Sequence, residues 1–391
     1  MNTGVQTLLR HIEWNFGGDR FHPTYALPVV PQPHLLTMTW GEVKNKECNM
    51  KTTRMLVLVI SILWTLNAGV FSIFAQAPTT SKILFTSGVD GNYEVFIMNP
   101  DGSEQINLTQ HRANDLQAIW SPTGEKILFV SDRSRGVRDL YMMNPDGSNV
   151  RRVFRKKVEP WRTSPTWSPD GEQIAYSYTN WDAGESYIYI ATLGEHQGEE
   201  LLVNGFGPEW SPDGREIAYT ALPVPGWGEV RRVSLIDIHI RKHKFLLPKK
   251  AMFWQNHPSW STTGNKLVFS WNKHPFPPDF NPRVDRAPPE WRNRETIYIV
   301  NRDGTEPQQL VNEDGNYAQL PKLSPKGNEV LYTQEVNKQF QIFKMDLNSG
   351  VRTQLTHTEW NLGGDWFDPA YALPVSPQPH LLTTTWGEVK K

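Results

Sequence analysis

The stretch WSPDGEQIAYSY occupies residues 167–178, and near-copies of it recur along the chain. WSPTGEKILFVS stands at 120–131, WSPDGREIAYTA at 210–221, WSTTGNKLVFSW at 260–271 and a weaker LSPKGNEVLYTQ at 323–334. A sixth copy is read at Tyr371 in DPAYALPV. It is aligned through a proline two residues ahead of the aromatic position, seen as Pro165, Pro208, Pro258, Pro321 and Pro369. The spacing is mostly about 43 to 50 residues. That period belongs to a small sheet unit that cannot bury its faces alone and is covered by its neighbours, as in a propeller.

Each copy predicts four strands. A short one ends at the Trp, and an apolar run follows, such as residues 174–178. Next comes an alternating segment such as YIYIAT or DLYMMN, then a polar, edge-like one such as VRRVF or RTQLT. β-Branched and aromatic content with a period of two supports strands. In Ser168-Pro169-Asp170-Gly171 the proline presets φ for a tight turn, the glycine relieves positive φ, and Ser and Asp can bond the turn backbone. Asn99-Pro100-Asp101-Gly102 and Asn144-Pro145-Asp146-Gly147 follow the same logic between third and fourth strands. The segment from Lys82 has second, third and fourth strands but no first, whereas the tail supplies a first strand. Joining them predicts an all-β, six-bladed β-propeller of four-stranded blades, closed by N- and C-terminal strands without a free edge. Either residues 83–87 or 381–386 take second place in the closing blade. The repeated Trp is expected to pack between blades.

The pattern WSPDGxxIAY…IYxMNPDGS…LT resembles the β-propeller repeat of TolB, the periplasmic component of the Tol–Pal system, across about residues 82–385. It is also similar to the propeller domains of prolyl-oligopeptidase-type peptidases. TolB's separate N-terminal α/β domain has no counterpart in the sequence. The resemblance implies a binding scaffold, and propellers host many unrelated activities.

Two segments precede the repeats. Residues 3–44 align without a gap on 349–390 with 31 of 42 positions identical, and Lys44 pairs with Lys390 next to the chain's last residue. Residues 1–49 are therefore read as a relic copy of the C-terminal tail, left by a neighbouring related gene. Residues 50–77 carry Lys51 and Arg54, an apolar run and Ala75-Gln76-Ala77. This is the layout of a secretory signal peptide. The alternative is an uncleaved membrane anchor, since the run approaches bilayer length. Residues 78–391 then form the propeller, periplasmic or extracellular, with no integral membrane domain once the signal is cleaved.

A formal net charge of −1 gives no electrostatic case for a nucleic-acid partner. The only cysteine, Cys48, precedes the signal. The exported part therefore has no disulfide, thiolate metal site or Cys nucleophile. No G-x-S-x-G elbow and no H-E-x-x-H occurs. His239 and His243 fall in a segment that reads as strand, where they would stand about 13 Å apart on one face. No cofactor or metal is expected.

Topology sorts the connections. The WSPDG and NPDG turns share one regular rim. The second-to-third and fourth-to-first connections share the other, where the sequence is irregular and aromatic. Exposed aromatics with Arg, Asn and Asp on loops held by a rigid scaffold are how binding surfaces are built. The candidate binding residues at this channel mouth are Asp115, Trp161, Arg162, Trp254, His257, Trp271, Trp291, Tyr317, Asp365, Trp366 and Asp368. The competing expectation is that the aromatics only plug the mouth or cover loop backbone. A Pro-rich insert over residues 271–295 starts on the same rim. The leading expectation is a non-catalytic exported propeller that binds a protein or peptide of the cell envelope. The alternative is a propeller lyase or hydrolase acting on a polymer through Asp115, Arg162, His257, Asp365 and Asp368, with His111 and His357 near the mouth.

Overall fold

The computed structural model of the chain describes residues 76–374, apart from 90, 156–160, 181–182, 184, 195–197, 223–230, 249–253, 279–287 and 314–316. The readings made for residues 1–49, for nearly all of 50–77 and for a strand at 381–386 lie outside the described residues.

Six antiparallel four-stranded sheets follow one another as blades of a propeller. Blade 1 holds β1 (Lys82–Val89), β2 (Asn92–Met98) and β3 (Ile106–Asn107). Blade 2 is β4 (Asp115–Trp120), β5 (Ile127–Ser134), β6 (Val137–Met143) and β7 (Arg151–Arg152). Blade 3 is β8 (Trp161–Trp167), β9 (Gln173–Asn180), β10 (Glu185–Thr192) and β11 (Glu199–Asn204). Blade 4 is β12 (Phe206–Trp210), β13 (Glu216–Ala221), β14 (Arg232–Asp237) and β15 (His243–Phe245). Blade 5 is β16 (Gln255–Trp260), β17 (Lys266–Trp271), β18 (Thr296–Asn301) and β19 (Gln308–Gln309), with one helical turn, α1 (Pro289–Arg292), inside its insert. Blade 6 is β20 (Ala318–Leu323), β21 (Glu329–Val336), β22 (Gln339–Asp346) and β23 (Arg352–Gln354). The last strand, β24 (Trp360–Phe367), returns to blade 1 and pairs with β1, giving the order β24-β1-β2-β3. Ring closure is therefore as expected, and residues 83–87 take second place in the closing blade.

The sixth first strand corrects the sequence reading. Trp366, not Tyr371, takes the Trp position: it pairs with Ile83 as Trp120 pairs with Ile127, and the next residue, Phe367, packs on Trp120 with ring centroids 5.1 Å apart. Each full copy contains two prolines, as in Pro165-Thr166-Trp167-Ser168-Pro169. The position of the first is taken by Gly364 in the Gly363-Gly364 bulge, and Pro369 corresponds to the second, turn-forming one, displaced by one extra residue after Trp366. A second correction concerns the segment around His239. It is not one strand, because β14 ends at Asp237, whose Oδ1 accepts the His239 and Ile240 amides at 2.9 and 3.0 Å and turns the chain.

The core is divided among the seams between blades. Trp210 (6% exposed) joins Ala175, Ile188 and Ile190 of blade 3 to Ile217 and Tyr219 of blade 4. Trp260 does the same between blades 4 and 5, Trp120 between 1 and 2, Leu323 between 5 and 6, and Trp366 between 6 and 1. Trp167 is only half-buried at its seam. The glycine of each NPDG-type turn has a second role besides positive φ. A Cβ on Gly147 would sit 2.4 Å from the Leu108 carbonyl oxygen, and one on Gly304 1.9 Å from that of Leu246. The turn backbone thus docks directly on the preceding blade.

The six innermost strands share one irregularity. Each carries a one-residue bulge against its neighbour, and the bulged residue has positive φ: Gln117, Ser164, Gly207, His257, Leu320 and Gly363. Such bulges bend a strand and re-aim its side chains. Several of the displaced amides are taken by hydroxyls of the preceding blade. The Gln117 amide donates to Thr86 Oγ1 (3.2 Å), Gly207 to Ser177 Oγ (2.9 Å) and Gly363 to Thr333 Oγ1 (2.9 Å).

Candidate functional site

The bulges ring a central channel with a chamber at each end. The loop-side chamber has a volume of about 480 Å³ and is lined by all six bulge residues, with Phe206, Pro165, Pro208, Tyr93 and Arg138 among the others. The turn-side chamber, about 240 Å³, is lined by Trp120, Trp167, Trp210, Trp366, Asp368 and their neighbours. Glu209 and Lys322 border both. Lys322 forms an ion pair with Glu209 and lies 3.4 Å from Asp365 Oδ1, while Asp365 Oδ2 accepts the Trp120 amide at 2.8 Å. Burial works against the Lys322 charge, but the two carboxylates outweigh it and raise its pKa. The bond network of three blades therefore places an ion triad between the two chambers.

The structure distributes the predicted site residues over distinct places. Trp161, Trp254, His257 and Tyr317 gather at the loop side, at or just before the starts of innermost strands. The segment 357–369, read as a loop, is largely β24 itself. Trp366 consequently lies in a seam at 9% exposure, donating Nε1–H to the Lys322 carbonyl at 3.3 Å, and Asp368 lies in the turn at the opposite end of the channel. Arg162 is fully buried between Asp139 (3.1 Å) and Glu199 (2.6 Å), over the Phe154 ring at 4.1 Å. Asp115 is equally buried and paired with Arg133 at 2.8 Å. Trp271 packs into the seam against Tyr298, ring centroids 4.8 Å apart.

The described part of the insert builds an aromatic cluster. Trp291 on α1, Trp254 and Phe276 have centroids 5.0 to 5.8 Å apart, and Trp291 Nε1–H donates to the Pro275 carbonyl at 2.8 Å. Proline-rich segments have few amides to satisfy, so this aromatic cluster and α1 hold the insert's visible ends. Beneath it Glu295 is 1% exposed, and burial pushes its carboxyl up to about 7. His257 Nδ1 lies 3.1 Å from Ser270 Oγ. Loss of solvent, reinforced by the nearby Arg231 charge, pulls its imidazole down to about 4.

Sequence reasoning missed one set of positions. The residue five before the partner of each second strand's first apolar residue opens the third strand at the loop side. Around the ring these are Tyr93, Arg138, Ser186, Arg231, Glu295 and Phe340. Arg138 lies over the Trp161 ring at 4.7 Å. Arg231 lies over Trp254 at 4.0 Å and Phe206 at 5.2 Å. Neither guanidinium has a hydrogen bond or ion pair among the described residues. The signal was available: each stands six residues before the polar residue that ends its third strand, Asn144 or Asp237. Among the described residues no group of three or more His, Cys, Asp or Glu is placed to hold a metal. No helix among them is long and apolar enough to cross a membrane.

A closed six-bladed β-propeller with a charged channel defines the class of protein. Residues 65–206 match the family described as the TolB beta propeller domain. The chain is 33% identical over 108 residues to an uncharacterised protein of Agrobacterium fabrum, covering 26% of this chain and 37% of that one. It is 25% identical over 181 residues to the uncharacterised peptidase YuxL of Bacillus subtilis, covering 46% of this chain and 25% of that one. The chain thus spans well under half the length of these curated relatives. Among solved structures, TolB from Acinetobacter baumannii superposes with a TM-score of 0.58 at 18% identity, covering 73% of this chain and 66% of that one. The chain carries a TolB-like β-propeller.

Proposed function

We propose that this chain is an exported, non-catalytic propeller that binds a protein or peptide of the cell envelope across the loop side of its ring. One observation carries the reading: Phe206 lines the loop-side chamber, Trp161 and Trp254 stand at or just before the starts of innermost strands on that side, and the Arg138 and Arg231 guanidinium groups stacked on these rings have no hydrogen bond or ion pair among the described residues. Aromatic and Arg anchors around a cavity are the residues that dominate binding energy at interfaces. Export rests on the signal layout of residues 50–77, and the mature chain should begin within residues 76–79 by N-terminal sequencing. A mature chain that retains Trp14 or Trp40 overturns the start at Met50.

The test is paired. A partner captured from an envelope extract is measured against Trp161→Ala and Trp254→Ala, together with the melting temperature of each. Loss of an anchor weakens binding by about 2 kcal/mol or more with the fold intact. If both variants melt earlier and neither changes affinity, the loop side is not the binding face. Trp366→Ala, once expected to behave as an anchor, now serves as the contrasting seam variant.

A second reading, as a polymer-cleaving enzyme, is favoured by Glu295 and His257, whose environments move their pKa values in opposite directions, to about 7 and about 4. Such divergence marks acid–base pairs. Chromogenic peptide and polyuronate substrates turned over by the wild type, but not by Glu295→Gln, would establish it.

A further inference from the structure

Arg138 and Arg231 occupy the same repeat position in blades 2 and 4, one on either side of blade 3. The intervening blade offers Ser186 at that position and Ser164 at its bulge. Arg138 and Ser164 line the 480 Å³ chamber directly. Arg231 reaches it through Phe206 and His257, which also line it. That volume lies within the range of pockets that enclose small ligands or a few residues of a chain.

The charges around the two guanidinium groups do not neutralise them by contact. Asp132 is the acid nearest in effect to Arg138. It is engaged by Asn114, whose amide and side chain donate to it at 2.9 and 2.8 Å. Glu295 is the acid nearest in effect to Arg231, and no ion pair joins them. Burial lowers both arginine pKa values, as expected for cations that lose water and gain only ring faces. Other partly buried arginines have polar partners: Arg162 pairs with Asp139 and Glu199, Arg302 with Asp213 and Glu216, Arg133 with Asp115, and Arg232, over the Phe245 ring, donates to the Leu247 carbonyl. An arginine held rigid on an aromatic face presents its N–H fork to a carboxylate with little ordering left to do.

We propose that the loop-side mouth is a carboxylate-recognition site, anchored by Arg138 and Arg231, into which the partner inserts an acidic peptide segment. This rests on the loop-side binding reading and supplies its chemistry. A peptide suits the lining, because Phe206, Leu116, Leu320, Leu362 and the ring of prolines offer apolar surface between the two cationic points.

The experiment uses the mature protein and three capped tripeptides in titration calorimetry. Acetyl-Glu-Glu-Glu-amide carries side-chain carboxylates only, acetyl-Gly-Ser-Gly with a free terminus carries a main-chain carboxylate only, and acetyl-Gly-Ser-Gly-amide carries none. At least one acidic probe binds, the neutral one does not, and which acidic probe binds identifies the source of the carboxylate. Arg138→Gln and Arg231→Gln each weaken that binding about tenfold, as expected for loss of a charge-assisted contact. Melting temperatures stay unchanged, and Arg215→Gln on the turn side has no effect on affinity. Absence of binding by both acidic probes, or equal affinity in the two arginine variants, overturns the proposal. Tri-galacturonate that binds through the arginines when the peptides do not overturns the commitment to a peptide. A protein partner captured through Trp254 but indifferent to both arginine variants rejects this inference and keeps the loop-side reading. Acidic probes that bind while Trp161→Ala and Trp254→Ala leave the partner's affinity unchanged do the reverse.

Discussion

The two ends of the channel are built from the same repeats yet treat charge in opposite ways. At the turn side Lys322 is paired with Glu209 and Asp365, Arg302 with Asp213 and Glu216, and turn glycines rest on the preceding blade's backbone. At the loop side two arginines lie on aromatic faces and form no ion pair among the described residues, and burial raises a nearby carboxyl to about 7. Satisfied charges and regular turns are what a scaffold needs. Unsatisfied cations beside a cavity cost stability, and a binding surface is where that cost has a use. The difference teaches that the regular rim holds the ring together, and it supports the proposed recognition at the irregular rim.

Four measurements would break or sharpen this contrast. The largest effect is expected in the seams: Trp210→Ala should cost about 3–5 kcal/mol in denaturant unfolding, as for a large buried aromatic. The half-buried Trp167→Ala should cost less, and equal losses would mean that seam burial does not set the ring's stability. Next comes Glu295. Its folded pKa, about 7, lies above its ordinary value, so the folded state keeps its proton longer and stability falls as pH rises from about 4.5 to about 7. Glu295→Gln removes that loss, so its advantage in melting temperature should grow between pH 5 and pH 8. The full effect is about 3 kcal/mol. His257 acts in the other direction: its folded pKa of about 4 costs stability as pH falls from about 6.5 to about 4. Third, Lys322→Met leaves Glu209 and Asp365 facing each other in the channel and should cost about 2 kcal/mol. That is less than for a fully buried pair, because the channel admits solvent. The smallest effect is expected at the loop side, where Arg231→Gln should change unfolding by less than about 0.5 kcal/mol. A loss as large as that at Lys322 would show that Arg231 is part of the scaffold and would erase the contrast.

The repeat made most of the fold readable. A tight turn needs Pro, Asp or Thr, and Gly at fixed offsets, and a seam needs a large apolar side chain at its edge, so both recur at a readable period. The closing strand was harder. Its copy replaces Pro–x–Trp with Gly364-Asp365-Trp366, one extra residue follows before the turn, and a lone Pro369 then misplaced the register. That shift moved Trp366 and Asp368 to the wrong end of the channel in the reading. Arg162 and Asp115 looked like site residues because charge near a loop usually means exposure. Their acidic and basic partners come from other strands of the blades, which sequence spacing does not reveal. Arg138 and Arg231 were missed for the opposite reason: their one signal, a fixed spacing of six residues before Asn144 and Asp237, stands out only when the blades are superposed.

The seam between β1 and β24 has a mechanical consequence. Every other blade is one continuous stretch of chain, but blade 1 is joined across an antiparallel pair in which Lys82 lies opposite Phe367. Both chain continuations leave from that same end. Tension applied between residues 81 and 368 would therefore load the hydrogen bonds one rung at a time, as in a zip, rather than all together in shear. A ring held by its six seams would open first at this one when pulled.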